Sequence, residues 1–248
     1  VTTLTEALTE DRLASVLAIA RDQLATLQVA DLAELVGYSP FHFSRMFRAH
    51  VGLGPGAYLS ALRIDAAKRM LLEGSDPVID VATAVGFESL SSFSRRFRST
   101  VGVAPGQLRR LADRISDRPP TPFALLRPHP WGVRVHLDLP RELDRREDAS
   151  VWVGWYPHPA PIGLPHSGAL VSGVPHTDLP LCEGAPYLLG FAVPAHADPW
   201  DQLAPDAPLV ALHPVPLIAA GEVTLHFSTE AARGGVPLLT ALPSLCRS

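Results

Sequence analysis

Two stretches fifty positions apart, residues 43–56 (FSRMFRAHVGLGPG) and 93–106 (FSRRFRSTVGVAPG), are identical at nine of fourteen positions. Just upstream, residues 31–38 (DLAELVGY) align with 80–87 (DVATAVGF) at an offset of 49, which puts one extra residue in the second turn. A repeat this dense constrains the fold more than composition does. One supersecondary unit must occur twice, and the surface it presents is presented twice.

Each copy reads as helix, turn, helix. Leu32, Ala33, Leu35 and Val36 recur at helical spacing. Gly37 then supplies the backbone freedom wanted at a helix C-terminus. Ser39 is placed as an N-cap, with Pro40 at the first helical position. Phe43, Met46 and Phe47 face inward, which leaves His42, Ser44, Arg45 and Arg48 outward. The second copy repeats the plan: Val81, Ala82 and Val85, then Gly86, then Phe93 and Phe97 inward with Ser91, Ser94, Arg95 and Arg98 outward. Two short helices around a glycine turn, the second carrying basic and hydroxyl side chains, make a helix-turn-helix pattern. Residues 56–73 contain no proline, and Tyr58, Leu59, Leu62, Ala66, Met70 and Leu71 keep a three-to-four spacing. This predicts one long linking helix, ended by Gly74. A rigid link matters because two helices reading one face of DNA lie about one turn, roughly 34 Å, apart.

The segment 86–98 (GFESLSSFSRRFR), followed by 102–106 (GVAPG), resembles the signature of the AraC/XylS family of transcription regulators, and the repeat, its spacing and the linking helix agree with it. The resemblance covers about residues 8–115. It implies an all-α, seven-helix domain with two helix-turn-helix motifs joined by a long helix, the second helix of each motif entering a major groove of double-stranded DNA. Carried over residue by residue, it gives Phe41, His42, Ser44 and Arg45 to bases in one groove, with Arg48 on phosphate. It gives Ser89, Leu90, Ser91, Ser94 and Arg95 to the next groove, with Arg98 on phosphate. Arg63, in the linking helix, is directed to the DNA backbone. The chemistry fits: arginine grips guanine O6 and N7, serine donates or accepts, and apolar Phe41 and Leu90 press on thymine methyls. RNA polymerase is a further partner that the resemblance brings in. Most members of the family place a sensing domain before the DNA-binding unit; here the DNA-binding unit comes first.

Proline divides the rest of the argument. Residues 1–120 hold 6 of the 25 prolines and residues 121–248 hold 19. Proline inside a helix costs about 3 kcal/mol, so the first part can be helical and the second almost cannot. Charge follows the same line: 14 basic against 13 acidic residues in the first part, 7 against 12 in the second. Residues 30–118 carry 12 basic and 9 acidic side chains, a net +3, so non-specific DNA affinity should be modest and strongly salt-dependent. The expected domains are residues 1–118 (DNA-binding), 119–130 (Pro-rich linker) and 131–248 (β-rich). Residues 1–118 are expected to fold and bind DNA alone, because few contacts usually cross such a linker.

In the second part, residues 132–139 (GVRVHLDL) alternate as a half-buried strand. Residues 150–156 (SVWVGWY) and 187–193 (YLLGFAV) are apolar on both faces and read as central strands. Residues 222–228 alternate again, while 169–174 and 209–212 are weaker candidates. Six or so short strands between Pro-rich turns predict a small antiparallel all-β sandwich. The segment from 150 to 193, with EGAPY at 183–187, is similar to transthyretin-like (prealbumin-like) domains over roughly residues 131–228.

Rival chemistries fare worse. Eight of the ten histidines follow residue 120, but in no recognised metal-ligand spacing. His166-Ser167-Gly168 lacks the G-x-S-x-G of a nucleophile elbow, so no catalytic residue, metal or cofactor is assigned and an enzyme is not expected. Residues 1–181 contain no cysteine, which removes a methyl-accepting thiol; the only two, Cys182 and Cys246, cannot build a disulfide framework. Residues 1–10 have neither a basic start nor an apolar core, and no apolar run spans a bilayer. The expected setting is cytoplasmic, with no membrane partner. Trp152, Trp155, Tyr156, Phe191 and Trp200 are expected in the core or around a ligand. Two readings stand: a sequence-specific transcription regulator whose β domain senses a small molecule or relays a signal, and a DNA-binding scaffold whose β domain is a protein-interaction or dimerisation module without a ligand. A pocket lined by those aromatics favours the first; a flat exposed apolar face favours the second.

Overall fold

The computed structural model describes residues 8–117, 121–144, 149–160, 162–194, 197–206 and 208–229. Cys246 lies outside them. Local signals set the helices. The hydroxyl of Thr9 accepts from the Arg12 N–H and starts α1 (Glu10–Asp22). Helices α2 (Val29–Leu35) and α3 (Pro40–Val51) flank a turn in which Gly37 has φ +73°. The Ser39 hydroxyl accepts from the His42 N–H at 3.3 Å, and α3 ends at Gly52, also left-handed. The long α4 (Pro55–Glu73) follows, then α5 (Val78–Ala84), α6 (Leu90–Val101) and α7 (Pro105–Asp117). The expected linking helix is therefore present as α4.

Helix α4 serves two cores. Tyr58, Leu59 and Leu62 on its first half join Val16, Leu17 and Ala20 of α1, Leu32 and Ala33 of α2, and Phe43, Phe47 and Val51 of α3. Ile64, Ala67 and Leu71 on its second half join Val81 and Ala82 of α5, Phe93, Phe97 and Val101 of α6, and Leu108 and Leu111 of α7. Met46, expected inward, is only half-buried, because Phe43, Phe47 and Val51 already fill the i, i+4, i+8 stripe.

The second half of the chain forms β1 (Phe123–Leu125), β2 (Gly132–Asp138), the short α8 (Arg141–Asp144), β3 (Ser150–Tyr156), β4 (Ser167–Ser172), β5 (His176–Pro180), β6 (Tyr187–Val193), the short α9 (Pro199–Leu203), β7 (Leu209–Leu212) and β8 (Gly221–His226). Five strands make one sheet in the order β1-β4-β3-β6-β7, and three make another in the order β5-β2-β8. Val133, Val135, Leu137, Leu179 and Leu225 of the small sheet share one apolar cluster with Val151, Val153, Trp155, Leu188 and Ala192 of the large one. The sheets are not wholly antiparallel as expected: β2 and β8 run parallel, Val133 facing Gly221 through Asp138 facing His226. The long connection from β2 to β8 through the other sheet allows this; a short hairpin could not. The expected linker is partly a strand, since β1 pairs with β4.

The boundary in sequence is not a boundary in packing. Trp152 of β3, Leu170 of β4, Phe191 and Val193 of β6, Leu203 of α9 and Val210 of β7 belong to the same cluster as the second half of α4 and helices α5–α7. The large sheet thus has two dry faces, one against the small sheet and one against the helices. Gly154 and Gly168, paired in register, make the second face possible: a Cβ on either would run into the Trp152 indole, at 2.7 and 2.5 Å. Arg69 of α4 adds a polar tie across the junction, donating to the Pro205 carbonyl at 3.0 Å and pairing with the Asp206 carboxylate. The loop after β3 buries Ala160 among the residues of the first core.

Candidate nucleic-acid interface

The repeat fixes two matching helices. In α3, burial of Phe43, Phe47 and Val51 turns Phe41, Ser44, Arg45 and Arg48 to the other side. In α6, burial of Phe93, Phe97 and Val101 does the same for Ser91, Ser94, Arg95 and Arg98. Phe41 is 82% exposed and Leu90 39% exposed, so each helix presents an apolar group to solvent beside its basic ones. Arg45, Arg48, Arg95 and Arg98 are all exposed. The structure brings ten of the expected residues onto two helix faces, on which His42, Ser44 and Ser94 are half-buried and His42 Nε2 is shut off from solvent. The other two, Ser89 and Arg63, are placed otherwise.

Ser89 is the N-cap of α6. Its hydroxyl oxygen accepts from the Ser92 N–H at 3.3 Å, as Ser39 does for α3. Its first task is therefore to satisfy an orphan helix donor. Arg63 is half-buried, not directed at a ligand. Its Nε donates to the Leu24 carbonyl and its Nη2 to the Leu27 carbonyl, both at 2.8 Å. It fixes the chain just before α2. Arg109 of α7 does the same work in the second half, donating to the Leu71 and Asp76 carbonyls at 2.9 and 2.6 Å, just before α5. The sequence hides this because an arginine that closes a loop looks the same as one that meets phosphate.

The two recognition faces differ in support. The His42 ring packs edge-on against Tyr38 at 5.0 Å, and Arg45 Nη2 lies 3.4 Å from His42 Nδ1. Arginine can only donate, so in this contact Nδ1 is the acceptor. Arg45 is braced in consequence. The residue matching His42 is Ser92, and Arg95 has no side-chain hydrogen bond among the described residues. The turns differ too. At Gly37 a Cβ would meet nothing, whereas at Gly86 (φ +86°) it would collide with the Ala25 carbonyl. The loop between α1 and α2 leans directly on the second turn.

Elsewhere, the aromatics expected in a core or around a ligand are core: Trp152, Trp155, Tyr156 and Phe191 are buried, and Trp200 is half-buried. Three histidines lie on the outer face of the small sheet beside acids, His136 3.2 Å from Glu222 and His226 2.5 Å from Asp138, with His176 next to His136. Among the described residues, no group of three or more His, Cys, Asp or Glu side chains could hold a metal ion, and no helix is long and apolar enough to cross a membrane.

Residues 9–111 match a family model described as a helix-turn-helix domain. The chain is similar to the uncharacterized HTH-type transcriptional regulator YobQ of Bacillus subtilis (strain 168), 39% identical over 79 residues, which is 32% of this chain and 33% of that protein. It is similar also to the HTH-type transcriptional activator AarP of Providencia stuartii, 38% identical over 87 residues, 35% of this chain and 64% of that one. A solved structure, the DNA-binding domain of the global transcriptional factor AdpA in complex with a target DNA, is 31% identical and covers 43% of this chain and 96% of its own, with a TM-score of 0.40. The chain spans about a third of the length of the first curated relatives it matches.

Proposed function

We propose that residues 9–111, which match a helix-turn-helix domain model, act as an AraC-type DNA-binding domain, and that this chain is a sequence-specific transcription regulator that reads two adjacent major grooves with α3 and α6. The observation that carries the reading is the pair of exposed faces at an offset of 50, Arg45 and Arg48 on one helix and Arg95 and Arg98 on the other, each backed by two buried phenylalanines. Arg45 and Arg95 contact bases; Arg48 and Arg98 contact phosphate. Phe41 and Leu90 select thymine methyls. Since one chain carries both helices, its site is contiguous, asymmetric and about two helical turns long.

The two sheets form a sandwich of transthyretin-like type that senses a small molecule or relays a signal. The shared core with α4–α7 supports this part of the reading, because a change in the large sheet reaches the second motif without a flexible linker. A second reading, a protein-interaction module, is favoured by an open groove beside Leu126, Trp131 and Pro180, in which Trp131 is 64% exposed. Selection of bound fragments from a genomic DNA pool, followed by footprinting, tests the DNA part. A single contiguous footprint at a one-to-one ratio is expected; a requirement for two inverted half-sites and a dimer would overturn it.

A further inference from the structure

One end of the two-sheet body is hollow. A cavity of about 210 Å³ lies between Leu137 and Leu139 at the end of β2, Leu143 of α8, Ala149 and Val151 at the start of β3, and the β4–β5 turn. Its floor is buried, Leu137, Leu143, Ala149 and Val151 each being less than a tenth exposed, and it opens to solvent along the β4–β5 turn. Val174, at the turn, is 42% exposed and marks the rim. Among the described residues no charged side chain lines it; the polar groups there are the Ser172 side chain and the backbone of the turn through Gly173 and Pro175. The volume is below the roughly 300 Å³ at which pockets for drug-sized ligands begin.

We propose that this cavity is an effector site for a small uncharged molecule with an apolar body and at most one or two hydrogen-bonding groups, the size of a substituted single ring. A charged ligand would lose hydration there without gaining a counter-charge. The position of the cavity gives occupancy a route to the helices. Val151 and Val171 are register partners on its wall, and the next register pair, Trp152 and Leu170, points to the opposite face of the same sheet and packs against α4–α7. Strands are stiff and their side chains alternate, so a molecule that shifts Val151 or Val171 shifts the seat of the second motif. The inference rests on the reading of the β body as a sensor, while DNA binding without effector stands independently of it.

The test uses the full chain with p-cresol as the probe and 4-hydroxybenzoate as its charged counterpart. Thermal melting should rise with p-cresol concentration and not with 4-hydroxybenzoate, and methyl resonances of Val151 and Val171 should shift. Affinity for a DNA fragment recovered by selection should change by about fivefold or more, the lower end of ordinary coupling between sites. Ala149→Phe fills the cavity and should abolish all three responses while leaving DNA binding without probe intact. Val174→Asp, at the exposed rim, should weaken them without touching the core. If neither probe binds, or if 4-hydroxybenzoate binds as well as p-cresol, the site or its ligand class is wrong. If p-cresol binds and DNA affinity does not move, the cavity is not an effector site. Loss of DNA binding by the unliganded protein would instead count against the regulator reading.

Discussion

The two helix-turn-helix pairs share nine of fourteen residues over their recognition helices yet live in different surroundings. The first is packed on α1 and the start of α4, and from the second half of the chain it takes contacts from the loop after β3, through Ala160 and Ile162. The second is packed into a core that it shares with a β-sheet, through Trp152, Leu170, Phe191, Val193 and Val210. The first braces its arginine on His42; the second leaves Arg95 without such a partner among the described residues. The repeat thus yields one helix pair supported mainly by α1 and α4 and another whose apolar core is shared with the sheet. Any signal received by the sheets should act on the second groove before the first.

The strongest way to break this comparison is Trp152→Ala. Removing the indole should cost about 3–5 kcal/mol, as for other buried large side chains. Hydrogen exchange should then show protection lost over α5–α7 more than over α2 and α3; equal loss in both would mean that the two motifs are not separately supported. Next comes Gly86→Ala against Gly37→Ala. Both force a side chain into left-handed backbone, at about 1 kcal/mol, but only the first drives a methyl into the Ala25 carbonyl. Gly86→Ala should therefore lose about 2 kcal/mol more, by analogy with overpacked cores, in chemical denaturation.

At the level of binding, Arg45→Ala and Arg95→Ala should each cost about 1–3 kcal/mol and relax discrimination at one base position. His42→Ala should cost part of the Arg45 effect, while Ser92→Ala leaves Arg95 unaffected; titrations with site variants measure both. The smallest expected effect concerns Lys68 of α4. It is fully buried, its ammonium has no hydrogen-bond partner, and Asp65 is 3.8 Å away. Burial pulls its pKa below the ordinary 10.5, against the opposing pull of Asp65. Between the lowered value and 10.5 the unfolded chain binds more protons than the folded one, so this residue makes stability rise with pH and its penalty is complete below the lowered value. Lys68→Met should remove that slope and raise stability at neutral pH by about 1 kcal/mol. Denaturant midpoints across that alkaline range report it.

The helical half was legible because its signals are local. Ser39, Gly37 and the 43/47 phenylalanine stripe define their helix within a dozen residues, and the repeat shows them twice. Strands β2, β3, β6 and β8 were legible for a similar reason, through alternation or β-rich apolar runs. What was hidden is long-range. The parallel pairing of β2 with β8 joins residues about ninety positions apart and leaves no local trace. β5 (HTDLP) is short, polar and ends in proline, and it becomes a strand only because β2 offers it an edge. The sequence did carry one clue to the shared core: residues 150–156 and 187–193 are apolar on both faces, which requires a cover on each side. The helices of the first half are that second cover, a contact that the expected division at residue 118 did not contain. In the site, outwardness of Arg45 and Arg95 could be read from helix periodicity, but the loop-closing roles of Arg63 and Arg109 depend on which carbonyls the fold brings within reach.

The loop after β3 has a mechanical consequence. Its Pro159 sits against Gly52, at the C-terminal end of α3, and its Gly163 lies near the Ser99 carbonyl, at the C-terminal end of α6. The described ends of that loop, residues 159–160 and 162–163, therefore lie at the rear ends of the two helices, like the jaws of a caliper. In the proposed complex a caliper of fixed opening selects a helical phase. One inserted base pair turns half of the site by about 35° relative to the other, since a full turn takes 10–10.5 base pairs. The same rotation accumulates when DNA is over- or underwound. A regulator so braced would register the superhelical tension of a promoter as well as its sequence.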